Sequence, residues 1–247
     1  CRHCCVEPSA PLRQQRRAAA SARHTLRGAG HRESTRRKDA LQLIGPDATE
    51  RRLFELSNSG ELSKCKYVHF ATHGFIDADR PEMSGLVLAR APSDADYDGV
   101  LHMREVFELK VNADLVVLSA CQTGLGKQMG GEGVVGLSTA FFFAGTPSVV
   151  MSLWKVDDLA TALLMQRLYG KLSQGKPKAE SLHEAKTWLR NLTRNELDNL
   201  IKADPNLTAL SRGFGQTQKS PKGTENEPHP FAHPHYWAGF VLTGDPH

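Results

Sequence analysis

The stretch Leu115-Val-Val-Leu-Ser-Ala-Cys121-Gln-Thr-Gly124 decides the fold of this chain. Its apolar residues follow one another without polar alternation, which is typical of a strand buried on both faces of a parallel sheet. Cys121 comes where this strand ends and a loop begins. Because sites in open α/β sheets form at the carboxyl ends of strands, the stretch predicts a functional thiol at the sheet edge.

A second stretch, Tyr67-Val-His-Phe-Ala-Thr-His73-Gly74, has the same design. Its apolar residues predict another buried strand, which leads to a histidine followed by glycine. If the two strands lie near each other in parallel, His73 and Cys121 leave the sheet at the same edge. A thiol nucleophile and its general base require this arrangement. The alternative interpretation of Cys121 is a small buried residue at a strand end.

The rest of the chain alternates between predicted helices and predicted strands. Asp47 is the predicted cap of a helix over 47–57, with Glu50 three residues on as in a capping box. Apolar patterns predict further helices over 132–143, from about 158 and from about 178, and strands over 147–154 and 235–242. This alternation implies an α/β fold, a three-layer α/β/α sandwich with a mainly parallel sheet.

Charge divides the chain into two parts. Residues 1–38 hold ten Lys or Arg and two acidic residues, a formal charge of +8, whereas the remainder carries −4. With few large apolar residues, the first part cannot bury enough surface to offset its ordering entropy. We therefore predict a disordered basic leader over 1–38 and a globular domain over 39–247. Nucleic-acid binding would rest on phosphate contacts of the leader alone and is not expected.

Composition excludes several classes of protein. No apolar run approaches the roughly 18 residues needed to span a bilayer, and no signal peptide is visible, so we expect no membrane association. The five cysteines are odd in number and three of them crowd at one end, which argues against a disulfide framework. A reducing cytoplasm suits a reactive thiol better, and we expect a cytoplasmic protein.

Two clusters of metal-ligand residue types are expected to bind no metal. The first cluster lies at the start of the chain and consists of Cys1, His3, Cys4 and Cys5. No second pair of ligand residues follows it at the spacing of a zinc site. The histidines near the end of the chain are expected to be structural: His229, His233 and His235. The sequence thus predicts neither a metal nor another cofactor.

Several segments together resemble the CHAT family, a bacterial branch related to caspases and separases. They come in the family's order and cover roughly residues 41–245: 70–75, 84–88, 114–124, 130–137, 152–158 and 233–238. The resemblance implies a caspase-like cysteine endopeptidase, with His73 as general acid/base and Cys121 as nucleophile. Because family members have further elements before the His-Gly strand, it also implies an N-terminally truncated domain.

The resemblance extends to the residues around the dyad. The amides of Gly74 and Cys121 would form an oxyanion hole, although Gly74 could also be a simple turn glycine. Trp154, Asp157 and Asp158 lie where related proteases line the pocket for the residue before the cleaved bond. Carboxylates there suit Arg or Lys, which predicts a basic P1 residue. Helix capping is the alternative role for the two aspartates.

The resemblance also implies partners. The substrate would be a protein or peptide, and a helical-repeat partner would regulate the domain, since family members often work in cis with such repeats. The alternative function is a scaffold or adaptor that has the caspase fold without turnover.

Overall fold

The computed structural model describes residues 2–7, 41–77, 79–90, 95–119, 132–212, 214 and 227–247, with the backbone alone for 2, 3, 7 and 132–135. The described residues form two compact units. The first holds those up to Lys155 together with Thr243–Asp245. The second holds those of 156–242 together with Pro246–His247.

The strands build one large sheet and one small sheet. In chain order they are β1 (Arg2–Glu7), β2 (Leu41–Ile44), β3 (Cys65–Phe70), β4 (Gly74–Phe75), β5 (Gly85–Val87), β6 (Val100–His102), β7 (Leu115–Leu118), β8 (Ser148–Ser152) and β9 (Phe240–Gly244). The large sheet has the order β2-β1-β3-β7-β8-β9, and its pairs from β2 to β8 are parallel. The small sheet, β4-β5-β6, is antiparallel. The predicted α/β sandwich with a mainly parallel sheet is confirmed.

The two strands that follow β3 in the sheet order are buried along their whole length. Every residue of β7 and β8 is buried. Such strands need apolar side chains on both faces, which is why their sequences show no polar alternation. The unalternating runs that predicted buried strands thus belong to strands inside the sheet.

Strand β1 corrects the expectation of a leader without packing against the core. It pairs with β2 on one side and β3 on the other, and Cys4 and Val6 are completely buried. The prediction counted large apolar residues only, whereas small cysteines are among the residues most often buried. Main-chain pairing along both edges also holds this strand. Residues 8–40 lie outside the described residues, and the boundary predicted after residue 38 stays a prediction.

The helices of the first unit are α1 (Glu50–Asn58), α2 (Met103–Val106) and α3 (Glu132–Phe143). The predicted bounds of α3 agree with the structure. The predicted cap of α1 was wrong, because Thr49 caps it and accepts a hydrogen bond from the Arg52 amide at 3.2 Å. Asp47 instead lies in a preceding 3-10 turn, Gly45–Asp47, in which Pro46 occupies a first-turn position.

The second unit contains α4 (Asp158–Ser173), α5 (Lys178–Asn191), α6 (Arg194–Ala203) and α7 (Pro205–Ser211). The last strand begins at Phe240, later than predicted, since Pro234–Tyr236 forms a 3-10 turn that His233 caps. None of the helices in the described parts of the chain combines the length and apolarity needed to cross a membrane.

Candidate active site

Strands β3 and β7 are parallel neighbours with a constant register. Tyr67 is opposite Leu115 and Phe70 is opposite Leu118, so partner residues differ by 48 positions throughout. His73 and Cys121 show the same difference of 48, each three residues beyond the end of its strand. The structure describes His73, whereas Cys121 lies outside the described residues. The neighbouring strands required by the sequence prediction are therefore present.

Strand β5 contacts His73 and the residue before it through Val87. The Val87 amide donates a hydrogen bond to the His73 carbonyl oxygen at 2.7 Å. The hydroxyl of the buried Thr72 donates to the Val87 carbonyl oxygen. His73 itself is half-buried. Along the chain it comes after β3 and directly before β4. His73 is thus partly accessible, and its backbone is restrained by β5.

Gly74, predicted to contribute to an oxyanion hole, is the first residue of β4. It is buried and pairs with Leu86 of the antiparallel small sheet. It is thus a strand residue, which corrects the alternative interpretation as a simple turn glycine.

A histidine and a serine that the sequence prediction missed join the two strands. His69 Nε2 lies 2.7 Å from Ser119 Oγ, and both side chains are buried. The Ser119 amide also donates to the Phe70 carbonyl oxygen at 3.0 Å, so the chain stays fixed to β3 one residue beyond β7. Ser119 comes two residues before Cys121 in the sequence. No local pattern reveals this pair, because its members are 50 residues apart.

The residues predicted to line the specificity pocket have different surroundings. Trp154, in the first unit, is half-buried. Asp157, in the second unit, is buried, and its Oδ1 accepts hydrogen bonds from the amides of Leu159 and Ala160 at 2.9 and 3.1 Å. Asp158 is the half-buried first residue of α4. For Asp157 the structure shows the capping role, and the pocket role of Asp158 stays a prediction.

We expect Asp157→Ala to lower the free energy of unfolding by about 1–2 kcal/mol, because two amides at the start of α4 lose their acceptor. Chemical denaturation measures the change. Asp157→Asn, which keeps a side-chain oxygen, should recover most of the loss. Equal stability of the alanine variant and the wild type would contradict the capping role.

Two histidines near the end of the chain and two cysteines of the sheet have structural surroundings. His229 Nδ1 lies 3.0 Å from the Asn191 carbonyl oxygen, and His233 Nδ1 accepts from the His235 amide at 3.1 Å. Cys4 and Cys65 are buried. A hydrogen bond with Cys65, together with burial, raises the pKa of the Cys4 thiol, which disfavours the reactive thiolate.

Comparison with known proteins gives the family. The family model for the CHAT domain matches residues 8–245. The match begins inside the segment that was predicted to be a leader. The chain is also 27% identical over 145 residues to tetratricopeptide repeat protein 28 of Mus musculus and to that of Homo sapiens. Each alignment covers 59% of this chain and 4% of the relative. These mammalian relatives give no support to the bacterial origin that the resemblance implied.

The family match and the fold agree. The match covers nearly the whole chain, and the mainly parallel sheet between helices is that of a caspase-like α/β sandwich. The chain therefore belongs to the CHAT domain family of caspase-like domains.

Proposed function

We propose that this chain is a cysteine endopeptidase in which Cys121 is the nucleophile and His73 is the general acid/base. The observation that carries the proposal is the register of β3 and β7, which end level with each other, together with the sequence, in which His73 and Cys121 each come three residues after the strand. The restraint of the His73 backbone by β5 supports it further. The substrate in this proposal is a protein or peptide.

The chemistry is acyl transfer through a thioester. His73 takes the proton of the Cys121 thiol, and the sulfur attacks the carbonyl carbon of the scissile bond. The amides of Gly74 and Cys121 would stabilise the oxyanion, each contributing about 2.7–4 kcal/mol to lowering the barrier. The C–N bond breaks as His73 protonates the leaving amine. In the second half of the reaction His73 takes a proton from water as the water oxygen bonds to the carbonyl carbon. The C–S bond then breaks, and His73 returns the proton to the sulfur.

Labelling tests this proposal directly. A peptide carrying arginine at P1 and an electrophilic ketone should modify Cys121, as intact-mass and peptide mass spectrometry will show. The Cys121→Ala variant should not be labelled, and labelling of His73→Ala should be much slower. Cys5→Ala keeps Cys121 and should be labelled like the wild type. A folded wild-type chain in which Cys121 reacts no faster than the other thiols would contradict the proposal.

A scaffold or adaptor is the second candidate function. The mouse and human relatives are named for tetratricopeptide repeats and not for an activity, which favours this alternative and suggests a helical-repeat partner. The scaffold proposal expects binding to such a partner that is unchanged in Cys121→Ala. It also expects no labelling at Cys121 by electrophiles with either basic or acidic P1 residues.

The preference for a basic P1 residue is part of the proposal and rests on Asp158. Since Asp157 is occupied by helix capping, Asp158 is the carboxylate that we expect to pair with the P1 guanidinium. A partly desolvated pair of this kind supports a preference of about a hundredfold. A peptide panel varying only P1 should therefore show cleavage after Arg and little after Asp.

The same panel applied to Asp158→Asn should show a reduced preference for Arg, while Asp198→Asn, on α6, serves as a control. Equal wild-type rates for Arg and Asp substrates would refute the basic preference. An unchanged preference in Asp158→Asn would remove Asp158 from the pocket.

A further inference from the structure

A buried carboxylate outside the proposed dyad contacts the loop that leads into β6. Glu50 is the first residue of α1 and only 1% exposed. Its Oε2 accepts a hydrogen bond from the Gly99 amide at 2.5 Å. The sequence pattern predicted that Glu50 belongs to a capping box. Its side chain instead contacts a residue 49 positions later in the chain. Burying a carboxylate is costly, so its position calls for a physical account.

Gly99 connects this carboxylate to the small sheet. Its carbonyl oxygen accepts a hydrogen bond from the Leu88 amide at 2.8 Å, directly after β5. Gly99 has φ = +90°, and a Cβ there would lie 3.0 Å from the Cβ of Arg90. This backbone conformation favours glycine, and it lets one residue donate its amide to Glu50 and accept from the Leu88 amide with its carbonyl oxygen.

Strand β5 continues the connection to the candidate site. The residue before Leu88 is Val87, whose amide donates to the His73 carbonyl oxygen at 2.7 Å. A second link runs in parallel, since the Ala89 amide donates to the Ala48 carbonyl oxygen at 2.9 Å. The start of α1 and the end of β5 are thus joined on two sides, and β5 in turn holds the backbone of His73.

We propose that Glu50 is a positioning residue for His73 and acts on it through β5, so that the charge state of Glu50 adjusts the placement of the general base. This inference rests on the proposed function in assigning His73 as the base. The physical coupling between Glu50 and β5 is independent of turnover and can be measured without a substrate.

The charges around Glu50 explain why it can act as a switch near neutral pH. Burial raises the pKa of Glu50 from 4.5 to about 7, and the hydrogen bond from Gly99 opposes this increase. Glu105 of α2 and Asp98 of the preceding loop raise the pKa further, whereas His102 at the end of β6 lowers it. An acid with a pKa of about 7 changes its charge in the pH range in which a cysteine–histidine pair works.

The pH dependence of stability follows from this raised pKa. Between pH 4.5 and about 7 the folded chain holds a proton on Glu50 that the unfolded chain has lost, so stability falls as pH rises. Glu50→Gln keeps an oxygen for the Gly99 amide and cannot ionise. Its melting temperature should therefore exceed that of the wild type at pH 8 and approach the wild-type value at pH 5.

The decisive test follows backbone amide signals by NMR from pH 5 to 9 in the 247-residue chain. The experiment uses the His73→Gln background, so that no shift at Val87 can come from an imidazole at residue 73. In this background the amides of Gly99 and Val87 should both shift with a midpoint near pH 7, and Glu50→Gln should abolish both shifts. Glu55→Gln is the matched control, because Glu55 is exposed on the same helix and pairs with Arg52 at 2.7 Å.

A pH-dependent shift of the Gly99 amide signal without one at Val87 would overturn the coupling. The absence of a midpoint in the Gly99 shift would overturn it as well. If the chain hydrolyses peptides, Glu50→Ala should lower kcat/KM about tenfold, the equivalent of one lost hydrogen bond, and Glu50→Gln should restore it with an altered pH profile. Absence of peptidase activity would refute the proposed function. The NMR shifts would still test the coupling of Glu50 to β5, because they are measured without a substrate.

Discussion

Cys121→Ala and His73→Ala should each lower kcat for peptide hydrolysis by roughly 10⁴-fold or more, since members of a nucleophile–base unit act together. Removing the thiol eliminates the atom that forms the thioester. Removing the imidazole leaves the thiol mostly protonated at neutral pH and the leaving amine without an acid. The double variant should be hardly slower than either single variant, because the unit is already broken by one substitution.

Steady-state kinetics with a fluorogenic arginine peptide measures these losses. The controls are His183→Ala, an exposed position on α5, and Cys5→Ala, a half-buried position on β1. Both should keep nearly wild-type kcat. Circular dichroism and melting temperature establish that the site variants are folded. A Cys121→Ala variant that retains a tenth of the activity would exclude the thioester mechanism.

Phe141→Ala should produce the largest loss of stability, about 3–5 kcal/mol, because it opens a cavity in a closely packed core. Phe141 is completely buried on α3, and its ring centroid lies 5.5 Å from that of Phe70. Phe70 is the last residue of β3 and comes three residues before His73. The cavity would therefore form beneath the strand that leads to the candidate site, and activity should fall along with stability.

Phe143→Ala provides the matched control on the same helix. Phe143 is 75% exposed, and its described ring contact is with Phe107 at 5.3 Å between centroids. We expect its loss to cost no more than about 1 kcal/mol. Urea denaturation of both variants measures the difference. Equal losses for the two phenylalanines would mean that α3 does not pack on the sheet as the structure has it.

Much of the fold could be predicted from short apolar patterns. Strand β7 is an uninterrupted apolar run, β8 has one at its centre, and α3 has predicted and observed bounds that agree. In each case the side chains themselves signal a buried environment, because only apolar residues can occupy it without an unpaired polar group. The positions of His73 and Cys121 after two such strands were predicted from the same local signal.

Other features depend on partners that are distant in the sequence. Strand β1 has little apolar content and lies between β2 and β3 because its main chain bonds to both. The joining of His69 to Ser119 likewise needs β3 and β7 side by side. Periodicity cannot reveal such pairs, since a main-chain or polar contact leaves no repeat in the sequence.

The sequence by itself determined the α/β class, several of the buried strands and the placement of a histidine and a cysteine after two of them. Only the tertiary structure decided the partners of individual carboxylates. Asp157 caps α4, and Glu50 accepts a hydrogen bond from the Gly99 amide. The physical reason is that local hydrophobicity is a property of each segment, whereas the energy of a buried charge depends on the amides and charges that the fold assembles around it.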